Sequence, residues 1–128
     1  MNRLEQELAL VQKRFAKATL GSSEEYVLIP DFPVPSGWNQ PSTRLLVLIP
    51  PGYPQVPPDC FYADDTLRLA SGALAGNSET GRPQAGQAWL WFSYHLEAAD
   101  WKPTADPATG SNLQTFLLGI ERRLEEAS

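Results

Sequence analysis

The sequence is poor in the residues that form disulfides and metal sites. Its 128 residues include one cysteine, Cys60, and one histidine, His95. A single cysteine cannot form an internal disulfide, and this usage is typical of a reducing compartment. No stretch approaches the roughly 20 apolar residues of a membrane span, and the N-terminus lacks an apolar secretory core. We therefore expect a cytoplasmic protein without a membrane anchor.

Positive charge is also scarce. The net charge is −5, from 10 Lys and Arg against 15 Asp and Glu. This balance argues against binding to nucleic acid or to an anionic membrane, and it leaves room for a partner with a basic face. No Cys/His cluster has metal-ligand spacing and no glycine motif is typical of phosphate binding. We therefore expect neither a metal nor a cofactor.

The size and composition are those of one globular domain spanning residues 1–128. Hydrophobic residues make up 42% and charged residues 20% of the chain. A chain of this length buries enough apolar surface to fold without metal or disulfide support.

Residues 3–18 are predicted to form an amphipathic helix, with Asn2 and Glu5 as a capping pair and Gly21 as the stop signal. The apolar positions Leu4, Leu8, Val11 and Phe15 follow a spacing of four, three and four. The opposite face carries the charged residues Arg3, Glu7, Lys13, Arg14 and Lys17. These charges are interpreted either as a solvated face or as a docking face for a partner.

Three strands are expected next, over 26–30, 43–49 and 60–63. Thr43 to Ile49 is an almost continuous apolar run, as in a strand covered on both faces. A turn covers 33–39. Strands that follow one another without long helices between them favour an antiparallel meander, so the expected fold class is α+β.

Residues 64–88 contain four glycines among small and polar residues. This pattern predicts a long loop without regular structure, which is usually functional or mobile. The aromatic run 89–92 follows and is expected to be core, so it would hold Ser93, Tyr94 and His95 rigidly.

A final helix is predicted to start near Ser111, with Ser111 and Gln114 as a capping box. Its apolar stripe must pack on the sheet, and it consists of Leu113, Phe116, Leu117, Ile120 and Leu124.

The segment from Ile49 to Pro58 carries five prolines, Pro50, Pro51, Pro54, Pro57 and Pro58, and includes a Tyr-Pro-x-x-Pro-Pro pattern. Each proline fixes its own φ and biases the preceding residue towards extended geometry, so the segment should be a stiff, non-helical connection. Together with Trp101-Lys102-Pro103 and the closing helix, it resembles the ubiquitin-conjugating-enzyme fold. In that family a strap of this kind joins two strands of a meander, and a Trp-x-Pro follows the catalytic residue.

In eukaryotic-type conjugating enzymes the catalytic Cys lies eight residues before the Trp of Trp-x-Pro, which corresponds here to Ser93. The chain departs from that family in three ways. Ser93 replaces the cysteine, the upstream His-Pro-Asn tripeptide is absent near residues 83–85, and the last two helices of the fold are missing.

The resemblance is greater to the prokaryotic ubiquitin-conjugating-like family called family E. Its members share the Gly-Tyr-Pro strap, a Trp-rich segment leading into Ser-x-His, and a Trp-x-Pro before the last helix. The resemblance implies three partners, a ubiquitin-like modifier, an adenylating activating-enzyme-like protein and a peptidase of the same system, and a role in antiphage defence. It also implies that Ser93 and His95 are the motif residues.

A serine is a weak nucleophile at neutral pH and needs a base. Positions i and i+2 of an extended segment point to the same side, so His95 could take the proton of Ser93 as it attacks an activated modifier C-terminus. The product would be an oxyester. Asp100 or Asp106 is expected to orient His95 or an acceptor lysine. We expect supporting or substrate-groove roles for Tyr53, Pro54, Trp101 and Pro103, with the modifier tail between residues 64–88 and Trp101.

Other interpretations remain open. Ser93 could be a strand-end or capping hydroxyl, and His95 a partly buried, hydrogen-bonded imidazole. Cys60 is interpreted as a small buried hydrophobe, in the wrong part of the fold for an alternative nucleophile. At the level of function, the chain could be a conjugating transferase, a non-catalytic adaptor that binds the modifier or its activating enzyme, or a scaffold or dimerisation domain.

Overall fold

The computed structural model describes all 128 residues as an α+β domain with two α-helices and one six-stranded antiparallel sheet. The helices are α1 (Arg3–Val11) and α2 (Leu113–Glu125). The strands are β1 (Thr19–Leu20), β2 (Tyr26–Pro33), β3 (Ser42–Leu48), β4 (Phe61–Asp64), β5 (Ser78–Gln84) and β6 (Gln87–Phe92). None of the helices is long and apolar enough to cross a membrane.

The strand order is β1-β2-β3-β4-β6-β5. The predicted meander of three strands is confirmed, because β2, β3 and β4 pair with their sequence neighbours. The short strand β1, which was not predicted, adds to it by pairing with β2. The order then changes, because β6 pairs with β4 and pushes β5 to the edge. In this order the aromatic strand β6 has a neighbour on each side and the polar strand β5 lies at the edge. The arrangement buries the apolar side chains of β6 and leaves the polar side chains of β5 in contact with water.

The prediction of an unstructured loop over 64–88 is wrong for residues 78–88, whereas residues 65–77 contain no helix or strand. The second part forms β5 and the start of β6, joined by a two-residue turn at Ala85 and Gly86, which have φ of 49° and 76°. Positive φ at both central positions is the requirement of a type I′ hairpin turn. The sequence of β5 does not resemble that of a strand, because its side chains are polar and it contains Pro83. These features fit its place at the edge of the sheet, where its pairing with β6 also shifts register between Glu79 and Arg82.

Helix α1 is shorter than predicted. The capping box of Asn2 and Glu5 is confirmed, but the helix ends at Val11 and not at Ala18. The Gln12 side chain donates to the Ala18 carbonyl at 2.9 Å. This contact closes a compact turn that brings Phe15 and Ala18 into the core.

Two further sequence expectations at the N-terminus are corrected. Gly21 lies beyond the helix, where a β-carbon would meet the Tyr26 ring at 2.1 Å. Glu7, assigned to a charged outer face, is only 1% exposed. It accepts hydrogen bonds from Arg3, from Tyr53 and from the backbone of Leu113. The carboxylate can be buried because these donors replace the hydrogen bonds that it would otherwise make to water.

The N-cap of helix α2 lies one residue later than predicted. Its capping box uses Asn112 and Thr115, because Ser111 instead accepts the Lys102 amide and Gln114 donates to the Leu10 carbonyl. The predicted apolar stripe is confirmed, since every member of it is buried.

The core lies between the helices and one face of the sheet, in a cluster of 21 buried residues. The other face carries a smaller cluster of Leu46, Tyr62 and Trp89. Leu45, Leu46 and Val47 are all buried, so the prediction that this strand is covered on both faces is confirmed. The helix-free face continues to the end of the sheet where β3 finishes and β4 begins, which is where the site described next lies.

Candidate functional site

Ser93 and His95 leave the end of β6 in an extended segment, on either side of Tyr94. The Tyr94 ring packs into the core with ring-centre distances of 5.8 Å to Phe61 and 5.6 Å to Phe116. Because successive side chains of an extended segment point to opposite sides, the neighbours of Tyr94 point away from the core. Ser93 Oγ lies 3.0 Å from His95 Nε2, which is hydrogen-bond distance.

The second nitrogen of His95 contacts a carboxylate that the sequence interpretation missed. His95 Nδ1 lies 2.5 Å from Asp59 Oδ1. The proposed orienting residues lie elsewhere. Asp100 ends a short 3-10 helix over 98–100, and Asp106 accepts the amide of Ala108 within its own turn. The carboxylate that faces His95 is therefore Asp59, and the three side chains form a continuous Asp59–His95–Ser93 chain.

The pairing of β4 with β6 explains why Asp59 reaches this position. Phe61, the first residue of β4, pairs with Phe92, the last residue of β6. Residues just before β4 therefore lie opposite residues just after β6. The Cys60 amide donates to the Tyr94 carbonyl at 2.7 Å and ties the two segments together. The sequence did contain a signal for this arrangement. The polar residue Asp59 lies just before the apolar strand β4, and the polar residue Ser93 lies just after the apolar strand β6.

Cys60 lies beside His95, and the expectation that it is in the wrong part of the fold is wrong. One ligand atom each from Asp59, Cys60 and His95 lies within 4.8 Å of the others. Spacing along the chain could not reveal this cluster, because His95 is 36 positions from Asp59. Burial and the nearby Asp59 carboxylate raise the pKa of the Cys60 thiol, so the protonated form is favoured. Its backbone is left-handed, with φ of 64°.

A groove of about 660 Å³ opens beside these residues, and we refer to it as the His95 groove. It runs from the end of β3 across the start of β4 to β6, on the helix-free face. Its lining combines apolar side chains with two carboxylates, and it consists of Glu25, Leu48, Ile49, Pro50, Pro51, Asp59, Cys60, Tyr62, Trp91 and His95.

The remaining predicted residues do not line the His95 groove. Trp101 Nε1 donates to the Pro54 carbonyl at 2.7 Å, and the Trp101 ring lies 6.1 Å from that of Tyr53. Pro103 forms an isolated bridge with Gly110. Trp101 instead borders a separate cavity near Tyr94 and α2. The His95 groove contains neither Trp101 nor any residue of 64–88, so a modifier tail between those two parts stays a prediction.

Burial of Tyr53 and its hydrogen bond to Glu7 raise the pKa of the phenol well above its ordinary value. Tyr53 therefore stays neutral and acts as a hydrogen-bond donor. Its role in this structure is to connect the proline-rich segment to α1, at 2.5 Å from Glu7 Oε1.

Comparison with known proteins identifies one family. The model of the family described as prokaryotic E2 family E matches residues 6–127. No curated protein and no solved structure matches the chain. The match extends over most of α1, all of α2, all six strands and the Asp59–His95–Ser93 chain. The protein therefore belongs to prokaryotic E2 family E.

Proposed function

We propose that the protein accepts an activated ubiquitin-like modifier on Ser93 as an oxyester and transfers it to a target amine. The observation that carries this proposal is the continuous hydrogen-bonded chain from Ser93 Oγ through His95 to Asp59. A serine with an adjacent base, itself oriented by a carboxylate, is the arrangement that activates a hydroxyl for acyl transfer.

In the first step the Ser93 hydroxyl attacks the acyl carbon of the modifier C-terminus, which is activated as a thioester or an acyl adenylate. The C–O bond forms and the bond to the leaving group breaks. His95 Nε2 takes the hydroxyl proton and passes it to the leaving group. This role requires that the neutral ring carry its proton on Nδ1, and the Asp59 carboxylate favours that tautomer by accepting it.

In the second step a target amine attacks the ester carbonyl, the C–N bond forms and the ester C–O bond breaks. The amine proton reaches the Ser93 oxygen through His95. An oxyester acylates amines less readily than a thioester, so the second step depends more strongly on the base. General base catalysis of this kind contributes about 10²–10⁴-fold.

The partners follow from membership in this family, and we propose them for this chain. The His95 groove has a volume of about 660 Å³ and apolar side chains in its lining, and we place an extended modifier tail there with its end at Ser93. An adenylating activating enzyme would supply the modifier, and a peptidase of the same system would mature or remove it. We assign the Pro50–Pro58 segment as the strap of the fold. Location in the cytoplasm and a role in antiphage defence belong to the same proposal.

One observation favours a second candidate function. The side chains of His95 and Asp59 are 63% and 66% exposed, so water competes for their hydrogen bonds. A non-catalytic adaptor would need only the His95 groove, and it would bind the modifier or the activating enzyme without forming a covalent bond.

The test is intact-mass spectrometry after incubation with the activating enzyme, the modifier and ATP. An oxyester transferase gives an adduct that survives thiol reductant, breaks in mild base and is lost in Ser93→Ala. The matched control is Ser36→Ala, which removes the hydroxyl of a serine outside the site and leaves the adduct unchanged. An adaptor gives no adduct, and both variants bind the modifier as the wild type does.

A further inference from the structure

We propose that Asp59, Cys60 and His95 bind one divalent transition-metal ion of the zinc type, and that the bound ion removes the base function of His95. The regulatory consequence rests on the function proposed above. The binding site itself does not, because none of its three ligands is Ser93.

The donor set fits such an ion. The three residues offer one carboxylate oxygen, one sulfur and one imidazole nitrogen, all within 4.8 Å of one another. Ligand atoms around a tetrahedral zinc lie roughly 3–4 Å apart, given its bond lengths. A thiolate and a carboxylate together neutralise a divalent cation. Three protein ligands leave the fourth position of a tetrahedral ion for water. Magnesium and calcium are disfavoured, because they prefer oxygen ligands only.

The ligands come from two segments that are already fixed to each other. Cys60 donates its amide to Tyr94, the residue before His95. Cys60 is 7% exposed, so its sulfur forms the floor of the cluster, while the exposed Asp59 and His95 form its rim. An ion can therefore enter from the His95 groove, and closing the site requires only side-chain rotations.

Metal binding and base catalysis compete for the same ring. In the free protein Nδ1–H faces Asp59 and leaves the Nε2 lone pair for the Ser93 proton. A metal on Nδ1 takes up the lone pair of that nitrogen and leaves the single ring proton on Nε2, from where it donates to Ser93 Oγ. The Cys60 thiol proton is released to solvent. A ring in this state has no lone pair with which to accept the hydroxyl proton.

The binding test uses the full chain with Co²⁺ as a spectroscopic substitute and Zn²⁺ as the competitor. We expect one Co²⁺ per chain, with a sulfur-to-metal charge-transfer band that disappears on addition of Zn²⁺. Cys60→Ser abolishes the band, and Asp59→Asn weakens binding more than about 10-fold, because each loses a direct ligand. Asp31→Asn, which removes another exposed carboxylate, leaves the affinity unchanged. Circular dichroism establishes that each variant is folded.

The regulatory test measures adduct formation on Ser93 with and without one equivalent of Zn²⁺. We expect at least about a 10-fold slower reaction, restored by a chelator, and no effect of Zn²⁺ on Cys60→Ser. Ser93→Ala separates the two proposals, since it binds Co²⁺ as the wild type does even if no adduct ever forms. A wild type without a charge-transfer band, or a Cys60→Ser variant that retains full affinity, overturns the metal site. A wild type that binds Zn²⁺ but reacts at the same rate overturns the regulatory role.

Discussion

Glu7 on α1 accepts the hydroxyl of Tyr53 at 2.5 Å and thereby joins the first helix to the proline-rich segment. The same oxygen accepts the Leu113 amide at the start of α2, at 2.7 Å. One buried carboxylate therefore connects three separate parts of the chain. The segment that leads into Asp59 depends on this connection for its position.

We expect Glu7→Gln to lower the free energy of unfolding by about 2 kcal/mol. The amide keeps the shape but loses the charge, and hydrogen bonds to charged groups contribute about 1.5–3 kcal/mol. Urea unfolding followed by fluorescence measures the change. Glu125→Gln, at an exposed position on α2, is the control and should stay within about 0.5 kcal/mol of the wild type. Equal effects of both substitutions would contradict the role of Glu7.

The stability of the protein should fall as the pH rises above 10. The pKa of Tyr53 is raised above its ordinary value of 10.0, so the folded state retains the phenol proton more strongly than the unfolded chain. The resulting stabilisation is fully present below pH 10 and is lost as the pH rises towards the folded-state pKa. Unfolding curves at pH values from roughly 8 to 11, which bracket the ordinary pKa of tyrosine, measure this loss. Tyr53→Phe has no proton to lose and should show a shallower decline; an unchanged slope would exclude Tyr53 as its source.

Asp59→Asn should slow the loading of Ser93 by about 100-fold or more. An asparagine can donate to Nδ1, which favours the tautomer that cannot accept the Ser93 proton, and general base catalysis is worth about 10²–10⁴-fold. Single-turnover loading followed by mass spectrometry measures the rate. Asp100→Asn is the matched control, because Asp100 lies in the separate 3-10 helix and should load at the wild-type rate. If Asp100→Asn caused the larger loss, the assignment of Asp59 would be wrong.

Ser93→Cys should change the chemical nature of the adduct. A thiol is the better nucleophile at neutral pH, so loading should be faster and the product should be a thioester. Gel analysis with and without thiol reductant distinguishes the two linkages. The adduct of the variant is expected to break under reductant while the wild-type adduct persists. A reductant-resistant adduct in this variant would indicate attachment at another residue, such as a lysine.

Gly119→Ala should destabilise the protein although alanine favours helices. A β-carbon at position 119 would lie 2.1 Å from the Tyr94 hydroxyl, and the Tyr94 ring is held by Phe61 and Phe116. Overpacking of this kind costs about 1–3 kcal/mol, which exceeds the roughly 1 kcal/mol gained from helix propensity. Thermal unfolding measures the difference.

The rescue is Tyr94→Phe in the Gly119→Ala background, because the next ring atom is 3.3 Å from the added carbon. The double variant should recover most of the lost stability. A double variant as unstable as Gly119→Ala alone would mean that the hydroxyl is not the cause. Gly119 is therefore the residue of α2 that leaves room for Tyr94, and Tyr94 directs Ser93 and His95 away from the core.

Local patterns in the sequence were sufficient for part of this fold. The apolar stripe of α2 and the buried strand β3 follow directly from periodicity and composition. The end of α1 and the strand β5 could not be found in this way. The first depends on a side-chain contact between Gln12 and Ala18, and the second is a polar edge strand held by its partner β6.

The candidate site, like the fold, could be predicted only in part from local patterns in the sequence. Ser93 and His95 are two residues apart, so extended geometry alone brings their side chains together. Asp59 and Cys60 reach them only through the pairing of β4 with β6, which joins distant parts of the chain. Residues brought together by strand pairing carry no spacing signal in one sequence. The choice of Asp100 and Asp106 as partners of His95 relied on nearness along the chain and therefore missed Asp59. A role of either residue at an acceptor lysine stays a prediction.

Both edges of the sheet resist pairing with another chain. The edge strand β1 has only two residues, and β5 combines polar side chains, Pro83 and a register irregularity. Short, bulged and proline-containing edges are those that proteins use against aggregation through added strands. Neither this protein's own copies nor an extended tail of another protein gains a long ladder of backbone hydrogen bonds at these edges. A partner peptide must instead be recognised through side chains, on the face of the sheet and not along its rim.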